Sequence, residues 1–208
     1  MVPDLGRLSI SPVRPGQEPE VSALLWSVLD RFVAPCYPPE GSEEFHHYST
    51  PEWLAAHYYT EGSFVLCARI GGSLAGVLAV RDRNHLAFLF VCEEHQRKGI
   101  ARQLVAAALA RCLRETPEIK ELTVFSAPGA IQVYIKMGFT ATGGERQLNG
   151  IRFTPMCLAV SPVTVPVSES THAPAPAPPV SGLESGSPVR SSTASPAPAS
   201  PASPAKGR

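Results

Sequence analysis

No uninterrupted apolar run in this 208-residue chain reaches the ~18 residues that a membrane-spanning helix needs. Met1 to Arg7 lack the basic stretch and apolar core of a secretory leader. Net charge is lacking too. Eighteen Lys and Arg balance eighteen Asp and Glu, so no overall field draws the protein toward nucleic acid or anionic lipid. No stripe of Lys and Arg interleaved with aromatic residues marks a nucleic-acid surface either. The five cysteines (Cys36, Cys67, Cys92, Cys112 and Cys157) are odd in number and never spaced as C-x-x-C, which argues for reduced thiols over disulfides or a zinc site. His46 and His47 are adjacent, but no third ligand stands at a suitable spacing, so no metal is expected. These absences together predict a cytoplasmic protein without nucleic-acid or membrane partners.

Aromatic residues are missing altogether after position 160, where eleven of the 22 prolines fall among long runs of Ala, Pro and Ser. Such a stretch has too little apolar surface to offset the entropy of ordering. Residues 161–208 are therefore expected to be a disordered, polyproline-like tail. Residues 1–160 are expected to form the one globular domain, a size that buries roughly two-thirds of its unfolded surface.

Within that domain Leu8 to Val13 alternates like an edge strand. From Glu18 to Val33 the apolar residues Val21, Leu24, Leu25, Val28, Leu29, Phe32 and Val33 recur at helical spacing. Pro35, Pro38, Pro39 and Gly41 break the chain, and Glu43 to Tyr48 reads as a polar loop. Thr50-Pro51 fits a helix start, with a hydroxyl cap and a proline where the missing N–H costs nothing. That helix should run to about Tyr59. Ser63 to Ile70 and Leu74 to Arg81, joined by Gly71-Gly72, predict a hairpin. His85 to Val91 is a third strand, Cys92 to Lys98 a polar loop, and Gly99 to about Thr116 an amphipathic helix. A strand from Glu121 to Ser126, a short helix from Pro128 to Met137 and a last strand from Ile151 to Val160 complete the order. The fold class this predicts is α/β, with a mixed, mostly antiparallel central sheet flanked by helices.

The loop before the long helix is where chemistry is concentrated. A chain that leaves a strand and enters a helix at Gly99 points several free amide N–H groups at one spot. The positive end of the helix dipole and the basic residues Arg97, Lys98 and Arg102 reinforce it. Gly99 has no Cβ to keep a phosphate from the backbone. Pyrophosphate binding is the direct expectation.

Gln96-Arg97-Lys98-Gly99-Ile100-Ala101 resembles the acetyl-CoA signature Gln/Arg-x-x-Gly-x-Gly/Ala of the GNAT superfamily of N-acetyltransferases. Downstream, Ala130 to Phe139 resembles that family's A-x-x-x-Y-x-K-x-G-F segment. The resemblance covers roughly residues 8–160. It implies that the strands His85–Val91 and Glu121–Ser126 splay apart to admit the pantetheine of acetyl-CoA. Main-chain groups of Leu89 and Val91 would pair with that arm, and amides from Arg97 through Ile100 and Ala101 to Arg102 would hold the pyrophosphate. A main-chain N–H near Phe90 or Val91, at a strand bulge, would stabilise the oxyanion.

By the same resemblance Tyr134 is the acid that protonates the departing thiolate. For the base, the family's glutamate on the strand after the long helix is replaced by Leu122, which takes no proton, and its alternative position is occupied by His85. Simple period-two alternation would put His85 on the strand face of Ala87, Leu89 and Val91. Ala127 stands where the family often has asparagine, so Ser126 is the substitute for that cofactor contact. The acceptor amine would be met by Phe32, Cys36, Tyr37, Phe45, His46, His47, Trp53 and Tyr58, with Arg146 and Arg152. Glu43 and Glu44 are expected on the solvated loop beside them. The expected activity is acetyl transfer from acetyl-CoA to a primary amine of unspecified nature by direct attack in a ternary complex. A catalytically silent acyl-CoA sensor is the alternative, and a homodimer is left open.

Overall fold

Eight strands and five α-helices are drawn from residues 7–34 and 37–160, the part of the chain that the computed structural model describes. The expected tail, residues 161–208, lies outside the described residues, as does Cys36. Strand β1 (Ser9–Pro12) is followed by helix α1 (Glu18–Val28), whose last turn continues as a π-helix over Leu29–Val33. The apolar stripe expected there is present, but its C-terminal turn is widened and not α-helical. Helix α2 (Pro39–His47) occupies the segment expected to be a polar loop. Pro38 is extended and Pro39 sits in the first turn, so the prolines that looked like breakers begin a helix. Helix α3 (Pro51–His57) starts as expected, with the Thr50 hydroxyl accepting from Trp53 N–H at 3.2 Å.

The strands β2 (Phe64–Ile70), β3 (Ser73–Arg81) and β4 (His85–Val91) form an antiparallel meander. Helix α4 (Ile100–Glu115) then crosses to β5 (Glu121–Ser126). A 3-10 turn leads into helix α5 (Ile131–Lys136), and β6 (Thr140–Ala141), β7 (Arg146–Leu148) and β8 (Ile151–Ala159) close the domain. The sheet order is β1-β2-β3-β4-β5-β8-β6, with β7 paired to β8. Among the described residues only β4 and β5 run parallel. The sheet is thus mixed and mostly antiparallel, flanked by helices on both faces.

Alternation along the strands feeds two cores. On one face α4 contributes Ile100, Leu104, Val105, Ala108 and Cys112 against Leu78, Val80, Leu122 and Val124. On the other, Val21, Leu24, Leu25 and Val28 of α1 and Leu54 of α3 pack against Val77, Ala79 and Phe88. Cys67 and Cys112 are buried among these apolar side chains, and burial pushes the Cys112 thiol up to about 11, the protonated and unreactive form. The four cysteines among the described residues are all free. No helix of the described residues is long and apolar enough to cross a membrane.

Two features of this frame position the site. The β4–β5 ladder consists of His85 opposite Thr123 and Leu86 opposite Val124, after which the strands part company. Strand β4 also carries one extra residue, since Phe88 faces Ala79 while Leu86 faces Val80, which leaves Ala87 as a bulge.

Candidate active site

Helix α4 begins at Gly99, which holds φ +81° and makes no side-chain cap. Arg97, two residues earlier, is also left-handed at φ +60°. The first intrahelical bond of this turn is Gln103 N–H to Gly99 O at 3.1 Å, so the amides of Ile100, Ala101 and Arg102 precede any helical acceptor. A Cβ built on Gly99 would meet no atom within 4 Å, so the space in front of these amides is open. Ile100 is 3% exposed and anchors the helix start in the core, while Arg97 and Lys98 stand in solvent. Arg102 turns away and donates to Lys136 O at 2.7 Å, which ties the start of α4 to the end of α5. Open amides, a helix dipole and unburied cations converge on one point, an arrangement that receives phosphate.

Beside this point lies the open edge of β4. Cys92 N–H donates to Ala75 O at 2.9 Å, so by strand alternation Phe90 and Phe88 also bond toward β3. The main-chain groups of Leu89 and Val91 face the gap to β5. One of them is already engaged, because Gln96 Nε2 donates to Val91 O at 3.1 Å. Gln96 therefore fixes the loop to the strand and leaves the Val91 N–H and the Leu89 groups at the edge. The expectation of a bulge at Phe90 or Val91 is corrected: it falls at Ala87, and the Phe90 amide belongs to the ladder.

The bulge also reverses the face on which His85 stands. Leu86, Leu89 and Val91 pack on the α4 side, whereas Ala87, Phe88 and Phe90 pack on the α1 side. His85 is on the α1 side too, since its ring lies 4.6 Å from that of Phe125, whose neighbour Val124 points into the α4 core. Its Nδ1 is 2.8 Å from the Thr123 hydroxyl. At 8% exposure, desolvation drives the imidazole down to about 4, with Arg81 adding to the effect. At neutral pH it is uncharged.

Tyr134 occupies the opposite face. Its ring sits 5.3 Å from Phe139 within the α4 core, and burial raises the phenol well above its ordinary range, so it stays protonated. Ser126 is also on this face, 1% exposed, with its hydroxyl donating to Ala127 O at 3.1 Å.

A sequence profile of the acetyltransferase (GNAT) domain family matches residues 33–160. The chain belongs to the GNAT acetyltransferases. No protein of curated function matches it in sequence. Solved structures share the GNAT fold with it. A GCN5-related N-acetyltransferase from Rhodopseudomonas palustris has a TM-score of 0.64 at 19% identity, over 75% of this chain and 98% of the other. The PaiA N-acetyltransferase of Thermoplasma acidophilum, solved in complex with coenzyme A, scores 0.61 at 16% identity over 74% and 99%. YjaB of Escherichia coli scores 0.56 at 19% identity over 73% and 97%. At these identities the likeness is one of fold.

In this GNAT chain the residues expected around an acceptor are dispersed. Phe45 of α2 meets Phe90 at 5.6 Å, edge to face, and Tyr37 Oη donates to Arg152 O at 3.1 Å. His46 is bonded to Asp30 at 2.8 Å and lies against Trp26, while His47 lies against Tyr48. Trp53 stacks on His57 at 3.9 Å and Tyr58 is buried against Phe88. Phe32 is exposed beside Arg31, and Arg146 is exposed on β7. Arg152 pairs with Glu145 at 2.7 Å. Glu44, on a helix and not a loop, accepts from Asn149 Nδ2 at 2.7 Å, and Glu43 is exposed. Among the described residues no three His, Cys, Asp or Glu side chains cluster in a way that would hold a metal ion.

Sequence reading missed Phe125 and Phe153. Phe125 is the first residue of β5 beyond its pairing with β4, is 50% exposed, and meets Phe153 of β8 at 4.5 Å. Its only signal in the sequence was a phenylalanine at an odd position of a strand whose even positions are Leu122, Val124 and Ser126.

Proposed function

We propose that this GNAT chain binds acetyl-CoA and transfers its acetyl group to a primary amine by direct attack in a ternary complex. The observation that carries the reading is the parting of β4 from β5 beside the open amides at the start of α4. The pyrophosphate would lie on the amides of Ile100, Ala101 and Arg102, with Arg97 and Lys98 supplying positive charge. The pantetheine, an extended chain with two amides, would take the place of a strand along Leu89 and Val91. Four residues of strand, roughly 13 Å, run from Val91 back to the bulge at Ala87, which leads the thioester toward the apex where β4 and β5 meet.

In the reaction the neutral amine attacks the thioester carbonyl carbon, an N–C bond forms, and the oxyanion is held by an open-edge N–H of Leu89 or Val91. The C–S bond then breaks, and Tyr134, protonated at all physiological pH, donates to the thiolate. The extra proton on nitrogen leaves through His85, whose neutral imidazole is in the accepting form but is a weak base, so it relays the proton onward to solvent, and the Tyr134 phenolate takes a proton back from solvent when the product leaves.

The test is a calorimetric titration with acetyl-CoA followed by release of free thiol in the presence of amines. One-site binding is expected, lost in Gly99→Glu, where a side chain and a negative charge enter the open space before the amides. Tyr134→Phe and His85→Ala should slow thiol release and leave the isotherm unchanged. Retained affinity in Gly99→Glu would mean that the loop has been misassigned. The silent-sensor reading is favoured by the weak basicity of His85 and by Leu122, fully buried where a base would otherwise stand. It requires binding without thiol release for every amine.

A further inference from the structure

The face of the sheet that carries His85 is only partly covered. Helix α1 packs on β3 and β4, and α2 reaches β8, while Phe125 of β5 is 50% exposed. Strand β5 lies inside the sheet, paired with β8 along its length and with β4 as far as Val124, the residue before Phe125. The rings of His85, Phe125 and Phe153 follow one another at 4.6 and 4.5 Å and form a continuous floor that starts where the two strands part. On the β4 arm, Phe90 and Phe45 stand edge to face. Aromatic surface thus lines both arms of the opening on the side away from α4.

Some of the acidic groups around this floor are paired with arginine. Glu145 is paired with Arg152 at 2.7 Å and Glu93 with Arg31 at 2.8 Å, while Glu44 accepts from the neutral amide of Asn149 and keeps its charge. Arg81 and Asp82, the charges that act on His85, are paired with each other at 2.5 Å. Glu43 lies two positions from Phe45 on α2 and so points away from the face that meets Phe90. Burial keeps His85 itself uncharged at neutral pH. A ring entering here would find aromatic partners along the floor and on the β4 arm.

We infer that the acceptor is a primary amine carried on an aromatic or apolar body, with its ring seated on Phe125 and Phe153 and its nitrogen turned toward the apex of β4 and β5. The inference rests on the acetyl-transfer reading above and specifies its second substrate. Stacking on Phe125 supplies ground-state binding, so its loss acts chiefly on KM.

The experiment offers the full-length protein saturating acetyl-CoA with 2-phenylethylamine, ethylamine or spermidine and follows free thiol. Binding of the same amines to the CoA-loaded protein is followed separately by ligand-observed NMR. For 2-phenylethylamine, kcat/KM should exceed that of either other amine by about tenfold or more. Phe125→Ala should erase most of that advantage through KM, Phe125→Tyr should keep it, and acetyl-CoA affinity should be unchanged in both. Preference for spermidine, or a preference indifferent to Phe125→Ala in a variant that still binds acetyl-CoA, overturns the inference and leaves the transfer reading in place. Binding of 2-phenylethylamine that depends on Phe125 but releases no thiol overturns the transfer reading and upholds the ligand class.

Discussion

His85 shows how far one residue's environment changes its chemistry. In the unfolded chain its imidazole titrates near 6.5, and in the folded chain near 4, because the ring is desolvated beside Phe125 and Thr123. Its folded value is the lower one, so the unfolded state binds more protons between these limits and stability rises with pH across that window. Melting temperature should therefore be insensitive to this residue above about pH 6.5 and fall as pH is lowered toward 4. In His85→Gln that fall should be shallower than in wild type, as read by thermal melts at matched pH. Parallel curves would mean that His85 is solvated in the folded protein. The histidine itself was visible in the sequence as a candidate base. Its face and its low basicity were not, because both depend on a bulge and on a phenylalanine forty positions away.

At the scale of elements, α2 is the instructive case. Its sequence, with prolines before it, Gly41 inside it and Glu43, Glu44 and two histidines along it, has the composition of a loop. It is helical because it is clamped to the turn between β7 and β8. A Cβ on Gly41 would stand 2.7 Å from Gly150 O, and one on Gly150 would stand 2.7 Å from Gly41 N. Tertiary proximity, which no local propensity reports, explains why glycine is tolerated inside this helix. Gly41→Ala should thus destabilise by roughly 1 to 3 kcal/mol as the helix is pushed off the turn, even though alanine is the better helix former by about 1 kcal/mol. A melt that moved upward would show that the clamp is loose. Strands β6 and β7 escaped notice for a related reason: two residues and three exposed residues carry no readable period.

For the molecule as a whole, the described residues bury two apolar clusters, one on each face of the sheet, and the proposed cofactor path and acceptor floor lie on elements between 85 and 153. The Pro/Ala/Ser-rich residues 161–208 contribute no aromatic side chain to either. We propose that they are dispensable for folding and transfer: a chain ending at residue 160 should keep the melting temperature and the acetyl-CoA affinity of the full-length protein. A drop in either would assign those residues a structural part.

Local patterns alone were sufficient for β4, β5 and α4. Strand β4 is a short apolar run rich in aromatic residues, the apolar residues of β5 and α4 repeat at strand and helix spacing, and the Gln96 to Ala101 loop joins β4 to α4 in an order that already implied an anion site. Period and capping are properties of neighbours along the chain, so the chain is enough to reveal them. The Ala87 bulge, the end of the β4–β5 ladder after Leu86, the Gln96 side chain on Val91 O and the half-exposed Phe125 beside His85 were decided only in three dimensions. Each depends on which strand lies next to which, and strand pairing is chosen by the closing of the two cores across the sheet.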